Sequence, residues 1–518
     1  MGGQFFILAL PIAVALVISR VLAGRLPVPE PILLILFGAA VSLLPSSDGI
    51  HLEPDVVLNV FLPPLVYRAA FLTAPRESRQ DAVPISVLAV GLTCATALAV
   101  MYAVHLAVPS LAWAAALALG AAVAPTDPVS ATTVMERVGA PRRLVTILEG
   151  ESLLNDGVAL TLWGLALTGL AGPLTAAGAG LTLVRVACGG ILYGLVLAWL
   201  ISKIRPRFQD PGSQIVLSLM TPFLAYLPAT YLGVSGVLAT IVTGFVFGVR
   251  GQGVLQPASR LTGQVFWNVL VYLLESTLFV LLGVQLTEVF HDAGHRPWTW
   301  GSLVLAALAV IVAVIGLRLL WTTLVLPLVR LRQPLSGRWR LVIGWAGMRG
   351  AITLAIALSI PLSVPHRGML LFVAACVVLV TLCLQAGTLA PLLRRLGMGE
   401  TESEIREMAT ARAAILEAAL ARLEDLAADD RIDDRTADVF RQLFELRLDR
   451  VRAILDEKDG AERADPEVGY VGVRRELIGA QRNKLHELYR HGIIHAETLR
   501  ELDHELDVEE RRRVTGGR

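Results

Sequence analysis

Charge is scarce in this chain. Of its 518 residues only 17 % are Asp, Glu, Lys or Arg, against roughly 25 % in an average soluble domain. The charge present is gathered at one end: from Glu400 onward roughly two-fifths of residues are charged, and before it about one in ten. Such scarcity excludes an ordinary soluble fold for the long first part. Cysteine is scarce as well. The four cysteines, Cys94, Cys188, Cys376 and Cys383, all lie inside apolar runs. They have neither the spacing of a disulfide framework nor that of a zinc site, so they read as buried free thiols. The net charge of +1 says little about partners, and no nucleic-acid partner is expected. Nor is a cleavable leader expected. The first apolar run, residues 5–23, has no basic stretch before it and no small-residue cleavage site after it. The Met-Gly start lacks the Ser or Thr that N-myristoylation wants at the sixth position, which is Phe6.

What the chain has instead is long apolar runs. A helix needs about 20 apolar residues to cross a bilayer. Runs of that kind stand near 5–23, 31–45, 55–73, 83–108, 111–134, 144–170, 181–202, 213–229, 233–249, 266–290, 301–329, 340–361 and 367–393. The fold class is therefore an all-α polytopic membrane protein with about 13 transmembrane helices over residues 1–398. Basic residues cluster in alternate loops: Arg20 and Arg25, Arg76 and Arg79, Arg137 with Arg142 and Arg143, Lys203 with Arg205 and Arg207, Arg250 and Arg260, four arginines from Arg330 to Arg340, and Arg394 with Arg395. Only Arg296 and Arg367 fall in the other set of loops. Basic loops stay cytoplasmic, so the N-terminus is expected outside and the tail, 399–518, in the cytoplasm. The tail reads as a few amphipathic helices, the first with a stripe of Ile415, Ala419, Leu423 and Leu426. Such helices pack on each other or across a dimer.

Carboxylates stand where a membrane helix should have none. Asp127 lies between Pro125 and Pro128, and Glu149, Glu151 and Asp156 lie in the next run. A charge at mid-membrane costs about 2.5–3.5 kcal/mol on insertion scales and marks a functional candidate. The two prolines have no N–H, so the carbonyls of Ala121 and Ala124 lose their helical partners and the helix breaks. Freed carbonyls, the Thr126 hydroxyl and a carboxylate form a cluster of hard oxygens of the kind that group IA and IIA cations want. In the following run Ser152 and Asp156 share a face with Glu149, while Glu151 and Asn155 share a face rotated by about 100°. Further on, Gly344, Gly347 and Gly350 punctuate seven residues around Arg349. They suggest a second broken helix with an arginine at the break. A buried Arg349 needs a counter-charge, and Glu151 is one candidate; alternatively Arg349 holds the ends of the broken helices and Glu151 pairs elsewhere. The fifth and twelfth runs occupy matching places if the chain holds two inverted repeats, with broken, crossing helices at the binding site.

Pro-Thr-Asp-Pro at 125–128, Glu-Ser-Leu-Leu-Asn-Asp at 151–156 and Gly-Met-Arg-Gly at 347–350 resemble the sodium/proton antiporters of the first monovalent cation:proton antiporter family. Leu-Pro-Pro-Leu at 62–65 and Leu-Gly-Val-Ser-Gly-Val-Leu-Ala at 232–239 are similar to family motifs as well, and so is the tail ending Glu-Leu-Asp-Val-Glu-Glu-Arg. The resemblance covers the whole membrane region. It implies that Asp156 binds either the cation or a proton, with Thr126, Asp127 and Ser152 completing or flanking a Na+ site. It implies that Asn155, before Asp156, goes with electroneutral exchange, and that Glu151 and Arg349 form a stabilising ion pair. It implies a homodimer in the bacterial plasma membrane, working by alternating access without a cofactor. In one place the chain departs from the pattern. Arg68 stands where many relatives carry an acid after Leu-Pro-Pro-Leu. It lies near the end of its run, where a long side chain can snorkel, and Glu275 is the nearest acid to pair with it or replace it. Arg318, also mid-run, reads as structural.

The residues thus point to a secondary antiporter exchanging Na+, Li+ or K+ for H+, whose partners are lipid and monovalent cations, and not to an enzyme. One carboxylate with two mutually exclusive occupants is enough for exchange. A channel or sensor on the same fold is the alternative. Gly233, Ser235 and Gly236 match the G-x-S-G pattern of intramembrane serine proteases, but His105, His291 and His295 all lie at loops, so the base that chemistry needs at membrane depth is missing.

Overall fold

The computed structural model describes residues 2–23, 25, 29–42, 54–72, 81–171, 176–208, 210–250, 257–291, 300–329, 334–398, 402–429 and 432–456, and short pieces between 477 and 506. Among them every regular element is helical. In a bilayer each backbone polar group must be satisfied within the protein, and a helix does this segment by segment. The helices are α1 (Gly2–Ala23), α2 (Glu30–Ser42), α3 (Leu62–Leu72), α4 (Thr93–Ala107), α5 (Trp113–Val123), α6 (Pro128–Val138), α7 (Arg142–Ala171), α8 (Ala176–Ile204), α9 (Pro211–Tyr231), α10 (Gly236–Arg250), α11 (Pro257–His291), α12 (Trp300–Leu320), α13 (Gly337–Trp345), α14 (Ala351–Leu358), α15 (Arg367–Val380) and α16 (Gly387–Arg395). Wider π-helical turns extend α3, α4 and α12 at Val57–Phe61, Val87–Leu92 and Trp321–Val325, and join α15 to α16 at Thr381–Ala386.

A helix stands at each of the thirteen apolar runs. Among the described residues seven helical stretches, breaks included, are long and apolar enough to cross a membrane: Ala82–Ala107, Trp113–Val138, Arg142–Leu170, Val184–Arg207, Thr262–Leu286, Gly301–Leu328 and Arg367–Arg395. Shorter apolar helices include Glu30–Ser42 and Gly236–Val249. The protein is an all-α multi-pass membrane protein, the fold class read from its sequence. Of the basic loop residues, Arg76, Arg79, Arg296, Arg330 and Arg332 lie outside the described residues.

The membrane helices pack in two groups. One comprises α4, the α5–α6 pair, α7, α12, the α13–α14 pair, α15 and α16. The other comprises α1, α2, α3, α8, α9, α10 and α11. The groups meet chiefly where α7 lies on α3 and α10 and where α11 lies along α14 and α15. At the centre of the first group α5 is buried from Ala115 through Val123 except for Leu117, and six of those buried positions are alanine or glycine. Small residues let helices approach closely where no hydrophobic force drives them together. On the outer faces Leu192, Val196 and Trp199 of α8 and Leu305 and Val312 of α12 are exposed and apolar, as lipid-facing positions should be.

A second compact unit spans Ser403–Arg518. In it α17 (Glu402–Ala428) and α18 (Asp434–Asp456) pack through Ala409, Ala413, Leu448 and Val451, with Leu416 and Leu420 against them. The buried stripe of α17 therefore runs through 409, 413, 416, 420 and 423, and Ile415, expected inside, is 69 % exposed. A helix starts α18 cleanly because Asp433 caps it. Its carboxylate accepts from Thr436 N and Thr436 Oγ1, which hold it below the usual carboxylate range. Further along the tail 479–488 is helical, and most of 496–512 lies outside the described residues.

Candidate functional site

Both expected breaks are present. Between α5 and α6 residues 124–127 leave the helix, and between α13 and α14 residues 346–350 do so. Pro128 starts α6 at a position where its missing N–H costs nothing, and Asp127 becomes its N-cap, extended at φ −90° and ψ 114°. Val129 N donates to Asp127 Oδ1 at 3.0 Å, and Ser130 Oγ donates to Oδ2 at 2.7 Å. The two broken helices cross here. Asp127 N donates to Met348 O at 2.7 Å, so each break satisfies part of the other's backbone. Gly350 sits against the Asp127 side chain; a β-carbon at 350 would lie 2.6 Å from Asp127 Cβ. The second break is tied to its neighbour where Arg349 N donates to Thr381 Oγ1 at 3.2 Å, in the π-turn after α15.

α7 runs beside the crossing and grips the first break through Thr126. Ser152 Oγ donates to Thr126 O at 2.8 Å. Asn155 Nδ2 donates to Thr126 Oγ1 at 2.9 Å, and that hydroxyl donates on to Glu151 Oε1 at 3.4 Å. The two polar faces of α7 are therefore not separate devices: Glu151, Ser152 and Asn155 all converge on one threonine. Glu149 stands apart, half-buried, and the charge acting on it comes from Glu136.

The ion pair expected between Glu151 and Arg349 forms instead with Arg318. Both Arg318 Nη1 and Nη2 donate to the Glu151 carboxylate, the latter at 2.8 Å, and Arg318 Nε donates to Ile343 O at 3.2 Å. Gly347 makes this possible: Arg318 passes so close over it that a β-carbon there would collide with its Cδ and Nε. Arg349 is equally buried, but its Nε and Nη1 have no hydrogen-bond partner, and it feels Glu151 and Arg318 only at a distance. Breaking a buried ion pair is costly because the survivor is left uncompensated, which makes Arg318 an integral member of the site.

Asp156 lies one turn along α7 from Ser152. It is 2 % exposed, its Oδ1 accepts no hydrogen bond, and the Asp127 carboxylate is close enough to act on it. Arg68 does not snorkel. It is buried, and its Nη2 donates to Asn268 Oδ1 at 2.8 Å, not to Glu275. Glu275 lies on α11, in the other helix group, within reach of the Asp127 charge. Thr381 was not legible as a site residue, since a threonine in an apolar run is common; Arg318 carried the signal of a mid-membrane charge.

Beside Asp156, the three other residues expected around a cation keep oxygens usable as ligands. Ser152 and Thr126 send their protons away, to a carbonyl and a carboxylate, so lone pairs are left on both hydroxyl oxygens. The Thr126 carbonyl and the Asp127 carboxylate likewise keep acceptor capacity. Oxygens of this kind at a break between half-helices are the donors a hard monovalent cation takes.

Known proteins resemble this chain in sequence and in fold. The model of the transmembrane sodium/hydrogen exchanger family matches residues 12–395. An uncharacterized Na+/H+ exchanger of Mycobacterium tuberculosis is 35 % identical over 98 % of this chain and 96 % of its own. A sodium, potassium, lithium and rubidium/H+ antiporter of Bacillus pumilus is 31 % identical over 74 % of this chain and 61 % of its own. Among solved structures, the sodium proton antiporter MjNhaP1 of Methanocaldococcus jannaschii shares the fold with a TM-score of 0.60, covering 76 % of this chain and 99 % of that one at 21 % identity.

Proposed function

The chain belongs to the transmembrane sodium/hydrogen exchanger family, and from that premise we propose how it exchanges sodium for protons. Asp156 is the carrier. It takes a proton or a sodium ion, never both, and Thr126, Asp127 and Ser152 supply the remaining oxygens when the cation is bound. The observation that carries this reading is the free Oδ1 of a fully buried carboxylate beside two crossed, broken helices. Such an oxygen is expensive to leave unsatisfied, and either occupant satisfies it. Asn155 and Ser152 hold the first break to α7, and Glu151 with Arg318 anchors α7 to α12. The transporter needs no cofactor; its ions are its substrates.

Several further statements come from the sequence and the family resemblance. Residues 1–398 cross the membrane thirteen times in two inverted repeats, with the N-terminus outside, and 399–518 form a cytoplasmic helical tail. The protein is a homodimer in the bacterial plasma membrane and works by alternating access. Asn155 beside Asp156 supports one proton per cation and hence electroneutral exchange. Chemical crosslinking in the membrane tests the dimer. A second reading is potassium/proton exchange on the same site; it is favoured by the broad cation range named for the Bacillus pumilus relative.

Reconstituted protein with an imposed pH gradient tests the site. Asp156→Asn abolishes sodium-dependent dissipation of the gradient, while clamping the potential with valinomycin and potassium leaves the wild-type rate unchanged. Normal exchange by the variant would overturn the assignment of Asp156, and a strong dependence on potential would overturn electroneutrality.

A further inference from the structure

The tail hairpin of α17 and α18 carries a division of charge that ion exchange does not use. α18 has three faces. Leu448, Val451 and Leu455 pack on α17. The second face is acidic: at about 100° per residue, Asp434, Asp438, Glu445 and Asp449 fall together. The arginines beside them are engaged, Arg441 with Asp438 and Arg452 with Glu417 of α17. On the third face α18 places no acid. That face carries Arg435, Val439, Leu443 and Leu446, with Phe440 and Arg447 on its shoulder. All six are exposed, Val439 by 60 % and Leu446 by 53 %.

The pair between Arg452 and Glu417 also fixes which flanks of the two helices adjoin. Glu417 marks the acidic side of the hairpin. The opposite flank of α17, which holds Arg412 and Ile415, therefore adjoins Phe440 and Arg447 of α18. The exposed Ile415 thus extends the apolar and basic face across both helices. A strip of this kind on a hairpin in water marks an interaction surface, and its charge says with what. Arginines along the strip repel a second copy of the same face and favour a negative partner. Apolar side chains flanked by arginine, with the acids turned away, suit a helix lying in the interface of an anionic bilayer. Such a bilayer is at hand. Six residues, 396–401, join α16 to α17, a reach of at most about 20 Å, and α16 ends a stretch long and apolar enough to cross the membrane.

We propose that this face of the tail hairpin docks on anionic phospholipid of the membrane that the chain itself spans. Val439, Leu443 and Leu446 enter the boundary between headgroups and acyl chains, and Arg435 and Arg447 pair with phosphates. The docking rests on the membrane class alone. It is independent of the ion assignment, because none of these residues belongs to the ion site.

The test uses the full-length protein in a cysteine-free background, with Leu443→Cys carrying an environment-sensitive fluorophore. It is reconstituted in vesicles of phosphatidylcholine, with or without phosphatidylglycerol. With phosphatidylglycerol the emission shifts to the blue and is quenched by doxyl groups on the acyl chains; without it, or at high salt, both effects fade. The same label at Asp449→Cys, on the acidic face, stays in water throughout. Both positions are exposed, so labelling leaves the packing of the hairpin intact. Arg435→Gln together with Arg447→Gln lowers the bound-to-free ratio read at position 443 by roughly thirtyfold, about fivefold for each charge. Equal quenching at the two label positions would overturn the proposal. So would a label at 443 that is shielded from iodide yet untouched by doxyl lipid, since a protein surface, a second copy or another partner, then covers the face. Lipid quenching that phosphatidylglycerol does not strengthen would contradict the pairing of arginine with phosphate.

Discussion

Glu151 and Asp156 stand five residues apart on α7 and meet opposite fates. Glu151 is held by two bonds from Arg318 and one from Thr126, whereas Asp156 keeps a bare oxygen. One acid is thereby fixed and the other left to exchange its partner. The difference predicts an unequal response to mutation. Arg318→Met strands a buried carboxylate and lowers stability by about 3–5 kcal/mol, and adding Glu151→Gln restores most of it. The same cycle with Arg349→Met shows little coupling to Glu151. Denaturant titration in micelles measures both; strong coupling to Arg349 and none to Arg318 would contradict the pairing. Sequence reading could not decide this. Both arginines sit mid-run near the second break, and nothing in their spacing says which one threads past Gly347.

The breaks themselves were legible because proline and glycine act on the backbone directly. Pro125 and Pro128 remove donors from one helix, and the three glycines of 344–350 let the other be crossed. What the chain could not reveal was that the two breaks touch, through Asp127 N and Met348 O, since contact across more than two hundred residues leaves no local trace. The tail shows the opposite failure. Helical periodicity fixed α17 as amphipathic but not its register, and with leucines, isoleucine and alanines all around the helix, Ile415 was as good a candidate for the core as Leu416. At the crossing the contact is tight enough to test with one methyl group. Gly350→Ala drives a β-carbon into Asp127 and costs about 1–3 kcal/mol of overpacking. It lowers the thermal-unfolding midpoint and removes exchange activity, while Gly164→Ala, at an open helical position, does not lower the midpoint. Equal midpoints for the two variants would mean that the crossing is looser than described.

At the scale of the molecule, two packed helix groups meet along α7 and α11, with Asp156 on one side and Glu275 on the other of that boundary. Charge scarcity made the membrane class plain, and the alternation of basic loops set the orientation expected for every helix. That orientation has a direct check. In a cysteine-free background, Leu232→Cys in the turn after α9 reacts with a membrane-impermeant maleimide on intact cells, and Arg142→Cys at the start of α7 reacts only after the membrane is opened. The reverse pattern would invert the topology. The central claim is competition of one proton and one cation for Asp156, and the apparent KM for Na+ against pH in proteoliposomes tests it most directly. On the acid side the account predicts a KM that rises about tenfold per pH unit at constant maximal velocity, one proton displaced per cation bound. A KM that stays constant with pH while the velocity alone falls would contradict it.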